Sequence, residues 1–201
     1  MSVTIKVEYV ENAVVIRFNR PEIKNPLSIE TLDELAAIFT ASESNPAIER
    51  IIFTGSGDTF ASGANLNEIA QLNEETARSF GLRGQNLMQR IYHSRKLAVA
   101  AVDGFCMGGA LDLAMSCKAR IASPRSVFAH PGVGLGIITG WSGTQILPRL
   151  IGEARALEIF LTAKRIDANE ALRIGLIDKI SDDPIGDSLA NFTANRSSYK
   201  L

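Results

Sequence analysis

Short apolar runs alternate with helix-period segments along this chain, and that alternation restricts it to an α/β fold. Residues 49–54, 97–103 and 119–122 have apolar centres without polar alternation, the mark of strands buried on both faces. Between and after them the spacing turns helical. Ser28 is placed to cap a helix with Leu32, Leu35, Ala36 and Phe39 on its inner side. Residues 73–93 form a longer period with Phe80, Leu87, Met88 and Ile91 inside, although Gly81 and Gly84 each weaken it by about 1 kcal/mol against alanine. Further helices are expected over 108–117, 143–150, 153–162 and 169–174. Ahead of all these, residues 3–10 alternate with period two, Glu11-Asn12 is a turn, and 13–19 reads as the second strand of an antiparallel hairpin. The whole predicts ββα units stacked around a core sheet.

A chain of 201 residues that is 46% hydrophobic has enough apolar material for one domain. We take 1–180 as that core and 181–201 as a short polar tail, helical around 185–192 or loose. Lys plus Arg number 21 against 22 Asp plus Glu, so no basic field exists to hold nucleic acid or an anionic membrane. Any anionic ligand must be held by local contacts. Cys106 and Cys117 read as small buried hydrophobes, with no spacing that suggests a metal. The start, Met1-Ser2-Val3-Thr4-Ile5-Lys6, lacks the basic-then-apolar pattern of a signal peptide, and the expectation is a cytoplasmic protein. Residues 97–117 are apolar and about long enough to span a bilayer. They carry Asp103 and Asp112, each costing about 3 kcal/mol at a membrane centre, so a strand, a glycine turn and a core helix fit better.

Two strand-to-helix junctions carry the chemistry. In Phe60-Ala61-Ser62-Gly63-Ala64-Asn65-Leu66 the small residues let a ligand approach the backbone, leaving the Ala64 N–H free to point outward. In Gly104-Phe105-Cys106-Met107-Gly108-Gly109-Ala110 the Gly109 N–H falls in the first turn of a helix, where free N–H groups favour an anion. Two such N–H groups aimed at one oxygen make an oxyanion hole. Either turn alone also serves plain packing.

Read together with Asn19-Arg20-Pro21, Asn25-Pro26-Leu27, Leu113-Ala114-Met115, Gly140-Trp141-Ser142-Gly143-Thr144-Gln145 and Pro148-Arg149-Leu150-Ile151-Gly152, these junctions resemble the crotonase superfamily of enoyl-CoA hydratases and isomerases. The resemblance runs over nearly the whole chain. It implies a spiral of ββα turns and a thioester carbonyl held by the N–H groups of Ala64 and Gly109. It also implies a CoA arm lined by Lys24, Pro26, Leu27, Ala61 and Ala64, no cofactor beyond the CoA of the substrate, and a homo-oligomer, a trimer or hexamer.

The sequence departs from that family at three places. Related hydratases use two glutamates to place a water and move a proton. Asp112 stands at the first position, one methylene shorter, and could instead only stabilise its helix end. Gly132 stands at the second and has no side chain. His130, its neighbour, titrates near neutrality and can substitute, or can be a core or subunit-contact histidine. His93 reads as a helix-end or surface residue and Glu68 as a solvated one. Trp141 is a pocket wall or core. Thr139 offers a hydroxyl to which the sequence assigns no role. The helices that usually follow in the family are shortened here.

Three functions stay open on the sequence. The first is an enoyl-CoA hydratase/isomerase-type enzyme with Asp112 as acid/base and His130 behind it. The second is a decarboxylase of a malonyl-type CoA. The third is an acyl-CoA-binding paralogue without catalysis.

Overall fold

The computed structural model describes residues 4–190. The hairpin is present as β1 (Ile5–Val10) and β2 (Ala13–Phe18), paired antiparallel from Ile5↔Phe18 to Val10↔Ala13. A two-residue strand, β3 (Pro26–Leu27), leads into α1 (Ile29–Ser44), where the Ser28 side chain accepts the Thr31 N–H. Then follow β4 (Arg50–Gly55), β5 (Thr59–Ala61), β6 (Gly63–Ala64), α2 (Leu66–Ile69) and α3 (Glu74–His93). The second unit is β7 (Leu97–Val102), β8 (Phe105–Met107) and α4 (Gly109–Ser116). The third begins with β9 (Ala119–Ala122) and β10 (Val127–Ala129). A 3-10 turn over Pro131–Leu135 then reaches α5 (Gly143–Ile151) and α6 (Glu153–Thr162). The chain closes with β11 (Ile166–Asp167), α7 (Ala168–Arg173), β12 (Lys179–Ile180) and α8 (Pro184–Leu189).

The first strand of each unit goes to one sheet and the second to another. One sheet runs β1-β2-β4-β7-β9-β12, parallel beyond the hairpin; the other runs β11-β10-β8-β5, with β5, β8 and β10 parallel. This is the ββα spiral expected from the sequence. The apolar runs are buried on both faces, as their composition requires. Ile51, Phe53, Ala98, Ala100 and Val102 point into the main core. Their alternate neighbours Ile52, Val99 and Ala101 form a second cluster with Ile121, capped by Ile185 and Leu189 of α8. Residues 181–190 therefore cover a sheet face instead of trailing as a tail; Phe192, expected to end that helix, lies outside the described residues.

The apolar stretch 97–117 resolves into β7, β8 and α4, and among the described residues no helix is long and apolar enough to cross a membrane. The glycine that weakens α3 has a use. A Cβ on Gly84 would lie 2.3 Å from the Trp141 ring, and one on Gly109 would lie 2.4 Å from the opposite end of that ring. The indole, 3% exposed, is slotted between two glycines of two helices. Gly81, one turn away, has nothing within 4 Å of such a Cβ. Two alanine substitutions in one helix should therefore act with opposite sign. Gly84→Ala lowers stability by about 1–3 kcal/mol through overpacking, and Gly81→Ala raises it by up to about 1 kcal/mol, read as urea midpoints.

Candidate active site

The site lies beyond the carboxyl ends of β5, β8 and β10, the place where parallel sheets leave room for ligands. Register decides which residues meet there. Cys106 is opposite both Ala61 and Phe128, and Met107 is opposite Ala129. The residues that follow each strand thus leave the sheet side by side: Gly63 and Ala64, Gly108 and Gly109, and His130. The Gly108 N–H donates to the Ala129 carbonyl at 2.9 Å and fixes this junction. Gly63 has φ of +90°, and a Cβ on it would lie 2.6 Å from the Met107 carbonyl oxygen and 3.0 Å from the Gly109 nitrogen. Only glycine permits that approach. The two turns read from the sequence are brought together, with Ala64 and Gly109 both on the wall of one cleft.

That cleft has a volume of about 240 Å³ and is mostly apolar. Phe80, Leu72, Ile138, Trp141 and Phe160 are among its walls, and Gly132 lies on it. Gly132 cannot carry a side chain in this backbone. Its Cβ would fall 2.5 Å from the Ile137 carbonyl oxygen, and the Ile137 N–H donates to the Gly132 carbonyl at 3.0 Å, closing the loop on itself. A second depression, near Gln85, Gln89, Tyr92 and Arg149, shares Gly140 and Trp141 with the cleft.

Asp112 sits one helical turn after Gly109 and is fully buried. It does not border the cleft; His130 and Thr139 do. Thr139 donates its hydroxyl to Asp112 Oδ2, giving that residue a role the sequence did not reveal. Asp112 Oδ1 lies 3.6 Å from His130 Nε2. Neither this oxygen nor either ring nitrogen of His130 has a hydrogen-bond partner in the protein. Buried polar groups left so cost about 1–3 kcal/mol each and call for a reason. Burial pushes the Asp112 carboxyl up to about 7, against the opposing pull of the Thr139 hydroxyl and the Gly143 and Trp141 N–H groups. Burial also pushes the His130 imidazole down to about 4, holding it neutral at pH 7. The ring packs on Phe160, with centroids 5.1 Å apart.

The residues expected along a CoA arm lie together beside the first turn. β3 pairs with β6, setting Pro26 against Gly63 and Leu27 against Ala64, and Ser62 donates its N–H to the Lys24 carbonyl. Of these residues Ala64 alone borders the cleft. Leu27 and Ala61 are buried, and exposed Lys24 pairs with Asp58 at 2.8 Å. Glu68 is not simply solvated: its carboxylate accepts the Ile29 N–H and ties α2 to the start of α1. His93 is a surface residue at the end of α3, its Nδ1 2.9 Å from the Gln89 carbonyl. Among the described residues no cluster of His, Cys, Asp and Glu could hold a metal, and both cysteines are buried and outside any disulfide.

A family model described as enoyl-CoA hydratase/isomerase matches residues 8–189. A crotonyl-CoA hydratase of Syntrophomonas wolfei is 44% identical over 177 residues, covering 88% of this chain and 68% of the relative. A short-chain-enoyl-CoA hydratase of Clostridium acetobutylicum is 41% identical over 167 residues, covering 83% of this chain and 64% of that one. The chain thus spans about two thirds of the length of these relatives. The solved enoyl-CoA hydratase of Thermoplasma volcanium superposes with a TM-score of 0.89 at 34% identity, over 96% of this chain and 79% of its own.

The Asp112 carboxyl links stability to pH in a stated direction. Its pKa is about 7 when folded and about 3.9 when unfolded. The fold therefore favours the protonated form. The penalty is absent below pH 4, grows as pH rises, and is complete above 7. Asp112→Asn should be more stable than wild type at pH 8, on the order of a few kcal/mol, with the advantage fading toward pH 4. His130 acts in the opposite sense in both proteins, its neutral form losing ground as pH falls from 6.5 to 4. Chemical denaturation of the pair at several pH values reads the difference.

Proposed function

This chain belongs to the enoyl-CoA hydratase/isomerase family, and from that premise we propose that it adds water to short enoyl thioesters of coenzyme A. One observation carries the reading: the Ala64 and Gly109 turns meet on the wall of an apolar cleft. When water attacks C3 of an enoyl thioester, negative charge moves to the thioester oxygen. Two backbone N–H groups fixed in a mostly apolar cleft stabilise that enolate without reorganising. Asp112, in contact with His130 of the cleft wall, supplies the one carboxylate beside the site. The small volume of the cleft, and the likeness to hydratases named for crotonyl-CoA and short-chain substrates, favour a short acyl group.

The CoA arm follows the backbone of Lys24, Pro26, Leu27 and Ala61, which β3–β6 pairing holds next to Ala64. No cofactor beyond the coenzyme A of the substrate enters this chemistry. Self-association into a trimer or hexamer is part of the reading; Ile138, Leu157 and Leu161, all about 60% exposed, supply apolar surface for it. Two buried cysteines outside any disulfide fit a cytoplasmic location. A second reading, decarboxylation of a malonyl-type thioester, is favoured by Gly132, because that reaction uses the oxyanion hole without a second carboxylate.

Crotonyl-CoA should lose its enoyl-thioester absorbance on incubation with the protein, and Asp112→Ala should lower kcat by at least about 10². A folded wild type that leaves crotonyl-CoA untouched but releases carbon dioxide from malonyl-CoA would replace the first reading with the second.

A further inference from the structure

The cleft wall contains one ionisable side chain, and it is not a carboxylate. Of the residues bordering the cleft, Ser62 and Thr139 offer hydroxyls, His130 offers an imidazole, and the rest are apolar or glycine. Asp112 is fully buried and does not line the cleft; it meets His130 and Thr139, which do. The place where a second carboxylate would stand is shut by the Gly132–Ile137 loop. His130 is 3% exposed, both of its nitrogens lack a protein partner, and Nε2 faces Asp112 Oδ1 at 3.6 Å. From this geometry we infer that His130 is the acid/base that meets the substrate, and that Asp112 acts through it as a positioning carboxylate.

This rests on the enolate chemistry proposed above and names the group that moves its proton. One group suffices for both transfers. His130 takes a proton from water as the water oxygen bonds C3, and the C2–C3 π electrons pass to the thioester oxygen between the Ala64 and Gly109 N–H groups. The imidazolium then returns that proton to C2 as the enolate collapses. One water is added and the histidine is restored. Asp112 stabilises the imidazolium between the two steps, as a buried carboxylate does behind a catalytic imidazole. Thr139 holds Oδ2 and leaves Oδ1 for the ring. Hydroxyls titrate too high to replace the imidazole at neutral pH.

The test uses two reactions. Crotonyl-CoA hydration reads the full cycle. Exchange of the C2 protons of butyryl-CoA in deuterated water reads the base and the oxyanion hole without adding water. His130→Gln should lower kcat for both by about 10²–10⁴, with KM within a few fold and acetoacetyl-CoA still bound as its enolate. Asp112→Asn should lower kcat less and displace the pH midpoint of kcat/KM; Thr139→Val should keep activity within about tenfold. Wild-type rates in His130→Gln, alongside an inactive Asp112→Asn, would overturn the inference and return Asp112 to direct contact. Exchange without hydration in the wild type, lost in His130→Gln, would overturn the hydratase reading and uphold His130. One measurement needs no variant. The chain has 2 histidines and the other, His93, is on the surface, so imidazole NMR resolves His130. Its signal should shift when acetoacetyl-CoA binds, and an unmoved signal overturns the inference.

Discussion

The parallel pairing of β8 with β10 is the constraint on which the site depends. It sets Met107 opposite Ala129, and the Gly108 N–H closes the junction on the Ala129 carbonyl. From that one register the chain delivers a helix N-terminus and a histidine to the same point. The pairing of β5 with β8 adds the Gly63–Ala64 turn on the other side. None of these strands exceeds three residues. The larger sheet, packed on both faces, gives the rigidity that such short strands lack.

Much of this was legible in the sequence because each feature is local. Apolar runs with no polar alternation announced strands buried on both faces, and the two clusters of alternating residues confirm that reading of 49–54 and 97–103. Ser28 and the long helix up to His93 follow from capping and period. The short strands β3, β5, β6 and β8 were not visible, since two or three residues carry no period and glycines beside them read as turns. Arg120 illustrates the same limit. It lies inside an apolar run, yet it is buried with its guanidinium on Asp178, Leu176 and Cys117. That arrangement exists only once β9 lies beside the segment 176–180.

The candidate site was legible in part for the same reason. Backbone donors announce themselves through glycine and helix starts, so Ala64 and Gly109 could be named. Side-chain roles depend on depth, which sequence does not encode. Asp112 and His130 both looked able to face a substrate. The structure buries both side by side, and only His130 lines the cleft. Thr139 was passed over because a hydroxyl in a loop has no signal until the carboxylate it meets is known. The two titrations that result run in opposite directions for one cause. Burial disfavours charge on each, so the carboxyl holds its proton longer and the imidazole sheds its proton sooner.

The indole slotted between Gly84 and Gly109 has a consequence for the shape of the molecule's interior. The same ring borders the apolar cleft and the depression near Gln85 and Arg149. One aromatic side chain thus contributes to the lining of both. The ring is braced by α3 and α4 at once, through Gly84 and Gly109. Any shift of the indole is therefore felt by both helices together.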